Sequence, residues 1–507
     1  MFLYKRNKGI ALIAVYLVIV ILTILGAAFF MQSYSESKLA LRHKNSTKAI
    51  CIAEAGIERA LYDLRQDFDT DESWSNGVTI NSTAYGPSTS FYNIYSSKPL
   101  GGGSYTVKLK NISGEKGKIW VRSAGTIGGI SRTIQTYVKM ITIPMWDNAI
   151  FAGAGAAGTM ISGNVDIRGS VHILGTGLDA DNLAMDLGGN AQIGNHYKGL
   201  DEGLRNKIPV LDTTTYSGDE VETLHAKLRV KQGVVALSGT ATVGDKNYSS
   251  GYKKTMDGVY VTNGFGGNSG VDNVYSDNDT GNPYDLGDNI TFPRLTTAFV
   301  SGYKNNALVI KDADDLDTIA SITPTSSFNF SDDKGSITMD GAGNLSISGN
   351  VYIDGGNLNM SKAGSEATIT YTGTGTIFVD SKVVDDALVG GNVAINTNLI
   401  TPAPEAGNTT FPYKTVGTTK LENIIGIMTP HNITFNEAQI NVMGLFYAED
   451  TITSKKQTDV VGTFISNYFD MGTNVPAIYQ VPEVIDHIPP GMVRTEPVIE
   501  IVAWQEI

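Results

Sequence analysis

Residues 10–31 form an apolar run whose only polar members are Tyr16 and Thr23. As a helix rising about 1.5 Å per residue, the run spans roughly 33 Å, enough for the hydrocarbon core of a bilayer. A removable secretory signal has a shorter apolar region, about 7–15 residues, followed by a small-residue cleavage site. "LGAA" at 25–28 offers such a site, but Phe29, Phe30 and Met31 continue the apolar run beyond it. The run therefore reads as a membrane span. Lys5, Arg6 and Lys8 precede it and Lys38, Arg42, Lys44 and Lys48 follow, so flanking charge leaves its orientation open.

The helix does not stop at the bilayer edge. No proline precedes Pro87, and Ile50, Ala53, Ile57, Leu61 and Leu64 recur at helical spacing as one apolar stripe. Arg59 and Asp63 make an i,i+4 pair on another face. One helix is expected over 10–66, with 10–31 in the membrane and the outer half docked on a partner element. Cys51 is the sole cysteine, which excludes an intrachain disulfide; a small buried role in the helix is expected for it.

Two motifs make a resemblance specific. A short basic leader ends at Lys8-Gly9, and "GIALIAVYLVIVILTILG" (9–26) is followed by the box "AEAGIERAL" (53–61). Over about the first 65 residues the chain resembles a type IV prepilin, most closely the PilX-type N-terminal family of pilus assembly proteins. The resemblance implies a leader over 1–9, cut between Gly9 and Ile10 by a prepilin peptidase, and methylation of the mature chain. It implies a single-pass precursor in the bacterial inner membrane, then an extracellular filament or the cell surface. Ile10, Ala14, Leu17, Leu22 and Gly26 would lie on the helix that meets lipid and other pilins, and Ala53, Glu54, Ala55 and Gly56 form the family box. One departure is informative. Major pilins carry a glutamate at the fifth mature position, where it neutralises a neighbour's N-terminal amine; here that position is Ala14. An unpaired buried charge is costly, so the absence points to a subunit at the tip rather than in the shaft.

Beyond the helix, "GSYTVKLKNI" (103–112), "KIWVRSAGTIG" (118–128) and "SRTIQTYVKMITI" (131–143) alternate as strands. They predict a small antiparallel β module over 67–145, with "IPMW" (143–146) as a boundary. The remainder, 146–507, reads as a large β-rich domain with Gly- and Asn-rich turns. "TYSGDEVETLHAKLRV" (215–230) suits a helix of two or three turns. "ISGNVDIRG" (161–169), "ISGNVYIDG" (347–355) and the weaker "VGGNVAINT" (389–397) suggest rungs of about 20 residues in a β-helix or solenoid. A β-sandwich is the alternative. The closing strand, ending in Trp504, is expected to cover a solenoid end.

Catalytic signals are weak. "GAGAAG" (153–158) matches a dinucleotide fingerprint by letter only, because a strand follows it rather than a helix; a flexible crossing into the large domain is expected instead. The six histidines are scattered without metal-ligand spacing, and no nucleophile elbow or P-loop occurs. Asp277, Asp279 and Asp285 in "YSDNDTGNPYDLGDN" (275–289) form a candidate Ca²⁺ loop, although the spacing departs from an EF-hand. A formal net charge of −13 gives no global basic field for nucleic acid.

The expected fold is α+β, mainly β: a long pilin-like helix, a small antiparallel module and a large solenoid-like domain. The expected function is a non-enzymatic minor pilin-like subunit, its β-rich head serving assembly initiation or adhesion to a surface or carbohydrate ligand. Two other readings use the same residues: a membrane-anchored periplasmic or surface β-helix protein outside any filament, and a type II secretion pseudopilin.

Overall fold

The computed structural model describes residues 8–68, 74, 77–111, 117–141, 145–156, 161–246, 251–286, 290–365, 367–402, 423–472, 476–494 and 498–507. The chain divides into two compact units, 1–142 with 497–507 and 143–496.

The first unit is built on α1 (Lys8–Phe68), one uninterrupted helix. A hairpin follows, β1 (Val78–Ile80) and β2 (Thr83–Tyr85), turning at Asn81 and Ser82, both left-handed. Then β3 (Tyr92–Leu100), β4 (Gly103–Asn111), β5 (Lys118–Ile127) and β6 (Ile130–Ile141) form an antiparallel meander. The stripe expected on the outer half of the helix is the one that packs. Ala53, Ile57, Ala60, Leu61 and Leu64 are buried against Val107 and Leu109 of β4, Ile119 and Val121 of β5, and Ile134 and Val138 of β6.

The fifth strand of this sheet is the end of the chain. Val498–Glu506 lies antiparallel beside β6, from Val498 opposite Ile141 to Glu506 opposite Ile134. This corrects two expectations. The large domain does not run to 507, and Trp504 covers no solenoid end but sits 52 % exposed on the small sheet. Alternation identifies a strand but not its partner, and here the partner lies more than 350 residues upstream.

The second unit is a solenoid of stacked parallel strands, not a sandwich. Its first ladder runs through Ile150 (strand Ile150–Ala156), which pairs with Val171, Val171 with Leu228, and Leu228 with Val259. In the opposite direction Ile150 pairs with Phe464, which leads through Phe446, Ile427, Ile377 and Val351 to Leu308. A second ladder holds Leu399, Val442, Val460, Ile478, Ile167 and Ile193, and a third Leu358, Val393, Ile433, Ile452 and Phe469. Chain order and stacking order therefore differ. The chain enters mid-stack at Ile150, winds to one end at Val259, crosses to the other end, and winds back from Leu308 to meet its own beginning.

The crossing is a strap along the outward side of the first ladder. The Tyr284 hydroxyl meets His172 Nε2 at 2.6 Å, and Phe292 stacks on Phe151 and Tyr447 with centroids 6.4 and 5.8 Å away. Tyr447 donates to Pro293 O at 2.6 Å. On the strap helix Thr297–Asn305, Tyr303 donates to Thr376 O at 2.7 Å and packs 5.3 Å from Phe378. The strap thus buries an aromatic outer row that a bare solenoid would expose.

Three smaller expectations fail. The echoed motifs do not mark one repeat, because Ile167, Val351 and Val393 stand in three different ladders. Segment 215–230 is a hairpin, Asp212–Tyr216 with Asp219–Thr223, followed by the strand Lys227–Val230. Ser217 and Gly218, both left-handed, make a tight turn there, which a helix could not contain. "GAGA" within 153–158 belongs to a buried strand, not a flexible crossing; residues 157–158 lie outside the described residues. Gly155, at φ +113°, has Ala184 O where a Cβ would stand.

Removing 498–507 should expose the edge of β6 and uncover Ile134 and Val138. In calorimetry the transition of the helix–sheet unit is expected to fall by roughly 10 °C or more, while that of the solenoid stays in place.

Candidate assembly helix and head-domain sites

The inner half of α1 is an apolar surface without protein cover. Every described side chain from Leu12 to Met31 is exposed, with Leu17 at 58 %, Leu22 at 61 % and Phe30 at 75 %. It is the one helix among the described residues long and apolar enough to cross a membrane. Ala14 lies on this surface, and Gly26 has open space where its Cβ would be, so another backbone can approach closely. For Gly9 and Ile10 only the helical backbone is described, and residues 1–7 lie outside the described residues.

The box at 53–56 acts by packing. Ala53 and Gly56 are buried, Ala55 is half-buried, and Glu54 faces away, exposed. A Cβ on Gly56 would fall on Ser123 Oγ, and one on Gly125 would fall on the backbone of Ala49 and Ala53. Ala49, Ala53, Gly56 and Ala60 therefore form a small-residue line that lets α1 lie directly on β5. Asp63 pairs with Arg59 at 3.2 Å and accepts from the Tyr95 hydroxyl, tying the helix to β3. Burial holds the Asp63 carboxyl above its ordinary range against the opposing pull of Arg59. Cys51, expected to be buried, is exposed beside this line. Ala49, Ile52 and Ala53 take the buried stripe, and Cys51 lies outside it.

In the solenoid the candidate calcium ligands do not converge. Asp285 forms a two-point pair with Arg229 at 2.7 and 2.9 Å. Asp277 receives Lys253 at 2.6 Å and Thr255 at 2.7 Å, while Asp279 accepts from Gly281 N at 2.9 Å. Protein cations and turn amides take the oxygens a cation would need. Among the described residues no group of three His, Cys, Asp or Glu side chains is arranged to hold a metal.

The parallel register gathers polar groups that sequence spacing did not reveal. Lys253, buried, bridges Asp257 and Asp277, and His225 meets Asp257 at 2.9 Å. Asp459 and Asp166 lie two rungs apart on one ladder, each aligned with Ala477. Burial and the charges of Asp201 and Asp166 push the Asp459 carboxyl up to about 6. Burial likewise lowers His172 and His196 to about 3, so both rings are neutral at physiological pH.

A further network joins the two ends of the solenoid unit. Trp146 Nε1 donates to Val493 O at 2.9 Å, and Gln480 Nε2 donates to Asp147 O at 3.1 Å and Oδ1 at 2.9 Å. Gln480 Oε1 accepts from Ser170 N at 2.6 Å. Burial pushes the Asp147 carboxyl up to about 6 despite the Gln480 donor.

With this geometry in view, one solved structure bears on the fold. The crystal structure of the competence-associated pilin ComZ from Thermus thermophilus matches with a TM-score of 0.51 at 20 % identity, over 91 % of this chain and 97 % of that one. The chain thus has a pilin-like α+β fold, a long apolar helix with a large mainly β domain. No protein-family model and no curated protein matches it.

Replacing Gly56 with leucine should force α1 off β5 and cost about 1–3 kcal/mol, read as a lower denaturation midpoint of the helix–sheet unit. Glu54→Ala should leave that midpoint unchanged. Asp147 gives a pH-dependent test. Its carboxyl is raised in the folded chain, so its favourable contribution is complete below about pH 4 and is lost as pH rises through about 6. Asp147→Asn keeps the Gln480 acceptor and should stabilise the solenoid by up to about 3 kcal/mol at pH 7.5, with no gain at pH 3.5; chemical denaturation at the two pH values checks this.

Proposed function

We propose that this chain is a minor pilin-like structural subunit of a type IV pilus or related filament, carrying its solenoid as a displayed head at the tip. The carrying observation is the union of two features in one helix. From Leu12 to Met31 it is exposed and, but for Tyr16 and Thr23, apolar, and from Ala49 to Leu64 it is the core element of a pilin-like sheet. A helix exposed in this way needs lipid first and other helices afterwards, since burial of each Leu, Ile or Val is worth about 1.5–3 kcal/mol.

In this reading residues 10–31 anchor the precursor in the inner membrane and then pack among the helices of neighbouring pilins. Ala14 offers no carboxylate to a subunit stacked on it, which suits a position where the lattice ends. The head's size argues the same way, because about 350 residues inserted in each sheet would crowd neighbours on a helical lattice. Initiating assembly and adhesion are the roles open to a subunit so placed. The competence association belongs to the structural relative.

Mass spectrometry of the mature protein from its native host should show an N-terminus at Ile10, with a methyl group on it. Gly9→Arg should abolish that cut and hold the protein in the membrane fraction. A mature chain beginning at Met1, or normal filament incorporation of Gly9→Arg, would overturn the proposal.

A further inference from the structure

Lysine is rarely buried in a protein interior, and one lysine of the solenoid is. Lys253 is 7 % exposed, whereas Lys304, Lys362 and Lys455, which also pair with carboxylates, are 40, 32 and 51 % exposed. It is the one buried lysine among the described residues, and it meets two carboxylates rather than one. Its Nζ contacts Asp257 Oδ1 and lies 2.6 Å from Asp277 Oδ2. Backbone pairing fixes all three residues. Lys253 N donates to Glu222 O and Asp257 N to Ala226 O on one side, and Asp277 N donates to Met256 O on the other. The triad therefore bridges adjacent rungs at the Val259 end of the stack.

The two carboxylates stand in different surroundings. Asp257 is 18 % exposed; its Oδ1 accepts from Asn195 Nδ2 at 3.1 Å, and its Oδ2 meets His225 Nδ1 at 2.9 Å. Asp277 is 35 % exposed, and the Thr255 hydroxyl donates at 2.7 Å to its Oδ1, the oxygen that Lys253 does not touch. Burial pulls the Lys253 amine down, but hydrogen bonds to Asp257 and Asp277 hold it above its ordinary range, so the resting state is an ion pair.

This arrangement has the parts of an amide condensation. An amine and a carboxyl held in contact react as if each were present at about 10⁵ M or more. A second carboxylate beside them can carry protons. The product is a neutral amide, which removes two charges from a site that solvates them poorly. We propose that Lys253 and Asp277 join in an isopeptide bond that staples adjacent rungs of the solenoid, with Asp257 as the proton carrier. Asp257 takes the two protons that Nζ gives up, one after the other, and passes them to Asp277 Oδ2. The Nζ–Cγ bond forms, the Cγ–Oδ2 bond breaks, and one water leaves through the exposed side of Asp277. Thr255 Oγ1 stabilises the charge that develops on Oδ1. No electron is transferred. A rung at the end of a stack has a neighbour on one side only, and a covalent tie there opposes fraying. The inference goes beyond the filament reading and does not depend on it.

Mass spectrometry of the full chain purified in detergent is the test. The intact mass should fall short of the unlinked chain by one water, and Lys253→Arg should restore it. After trypsin, the fragments carrying Lys253 and Asp277 should remain joined, with fragment ions placing the link at Asp277. Asp257→Ala should lower the joined species at least roughly tenfold, through loss of the proton carrier. A succinimide at Asp257-Gly258 would also release one water, but it would persist in Lys253→Arg and leave the fragments apart. The proposal is overturned by an unlinked mass, by a water loss that survives Lys253→Arg, by a link at Asp257, or by undiminished linkage in Asp257→Ala. The digest of the unaltered chain decides the outcome even where a variant fails to fold. A mature N-terminus at Met1 would remove the filament reading without touching this result, so the two fail separately.

Discussion

The pairing of β6 with the C-terminal strand governs the architecture. It sets Ile141 opposite Val498 and so requires everything from 143 to 496 to leave and return at one point. Closing a coil of that length would cost about 5 kcal/mol in chain entropy. The solenoid unit reduces the cost by holding its own incoming and outgoing ends together, Trp146 against Val493 and Asp147 against Gln480. An insertion between neighbouring antiparallel strands is tolerated when the inserted unit has adjacent ends, and these contacts provide them.

A simple solenoid has its ends at opposite extremes of the stack. This one meets the requirement by starting in the middle. Ile150 is flanked by Val171 on one side and Phe464 on the other, so the first and last strands of the unit become neighbours. The consequence is a crossing from one end of the stack to the other, which the strap performs. Its aromatic residues cover the outward row of the first ladder. Strap and aromatic row thus descend from one topological demand.

The helix faces two solvents and its sequence divides accordingly. Residues 12–31 are apolar on all sides, as lipid or a helix bundle requires. From Ala49 the apolar surface narrows to a stripe, and its centre is small rather than large. The Gly56 approach to Ser123 and the Ala53 approach to Gly125 replace side-chain bulk with backbone proximity. That explains the box at 53–56 without assigning it any chemistry.

The sequence by itself determined the elements governed by local periodicity. The exposed apolar run, the continuous helix, its stripe, the Arg59–Asp63 pair and strands β4 to β6 follow from spacing and propensity, and each holds in the structure. Short alternating strands with Gly and Asn turns also favoured a solenoid over a sandwich, and the parallel stacking bears this out. Only the tertiary structure decided what pairs with what. The closing strand joined the small sheet, the echoed motifs fell in three ladders, and Asp277 and Asp285 turned to Lys253 and Arg229 instead of a shared cation. Period two fixes which face a side chain takes but carries no record of the partner strand, and partner choice is settled by burial summed over the whole unit.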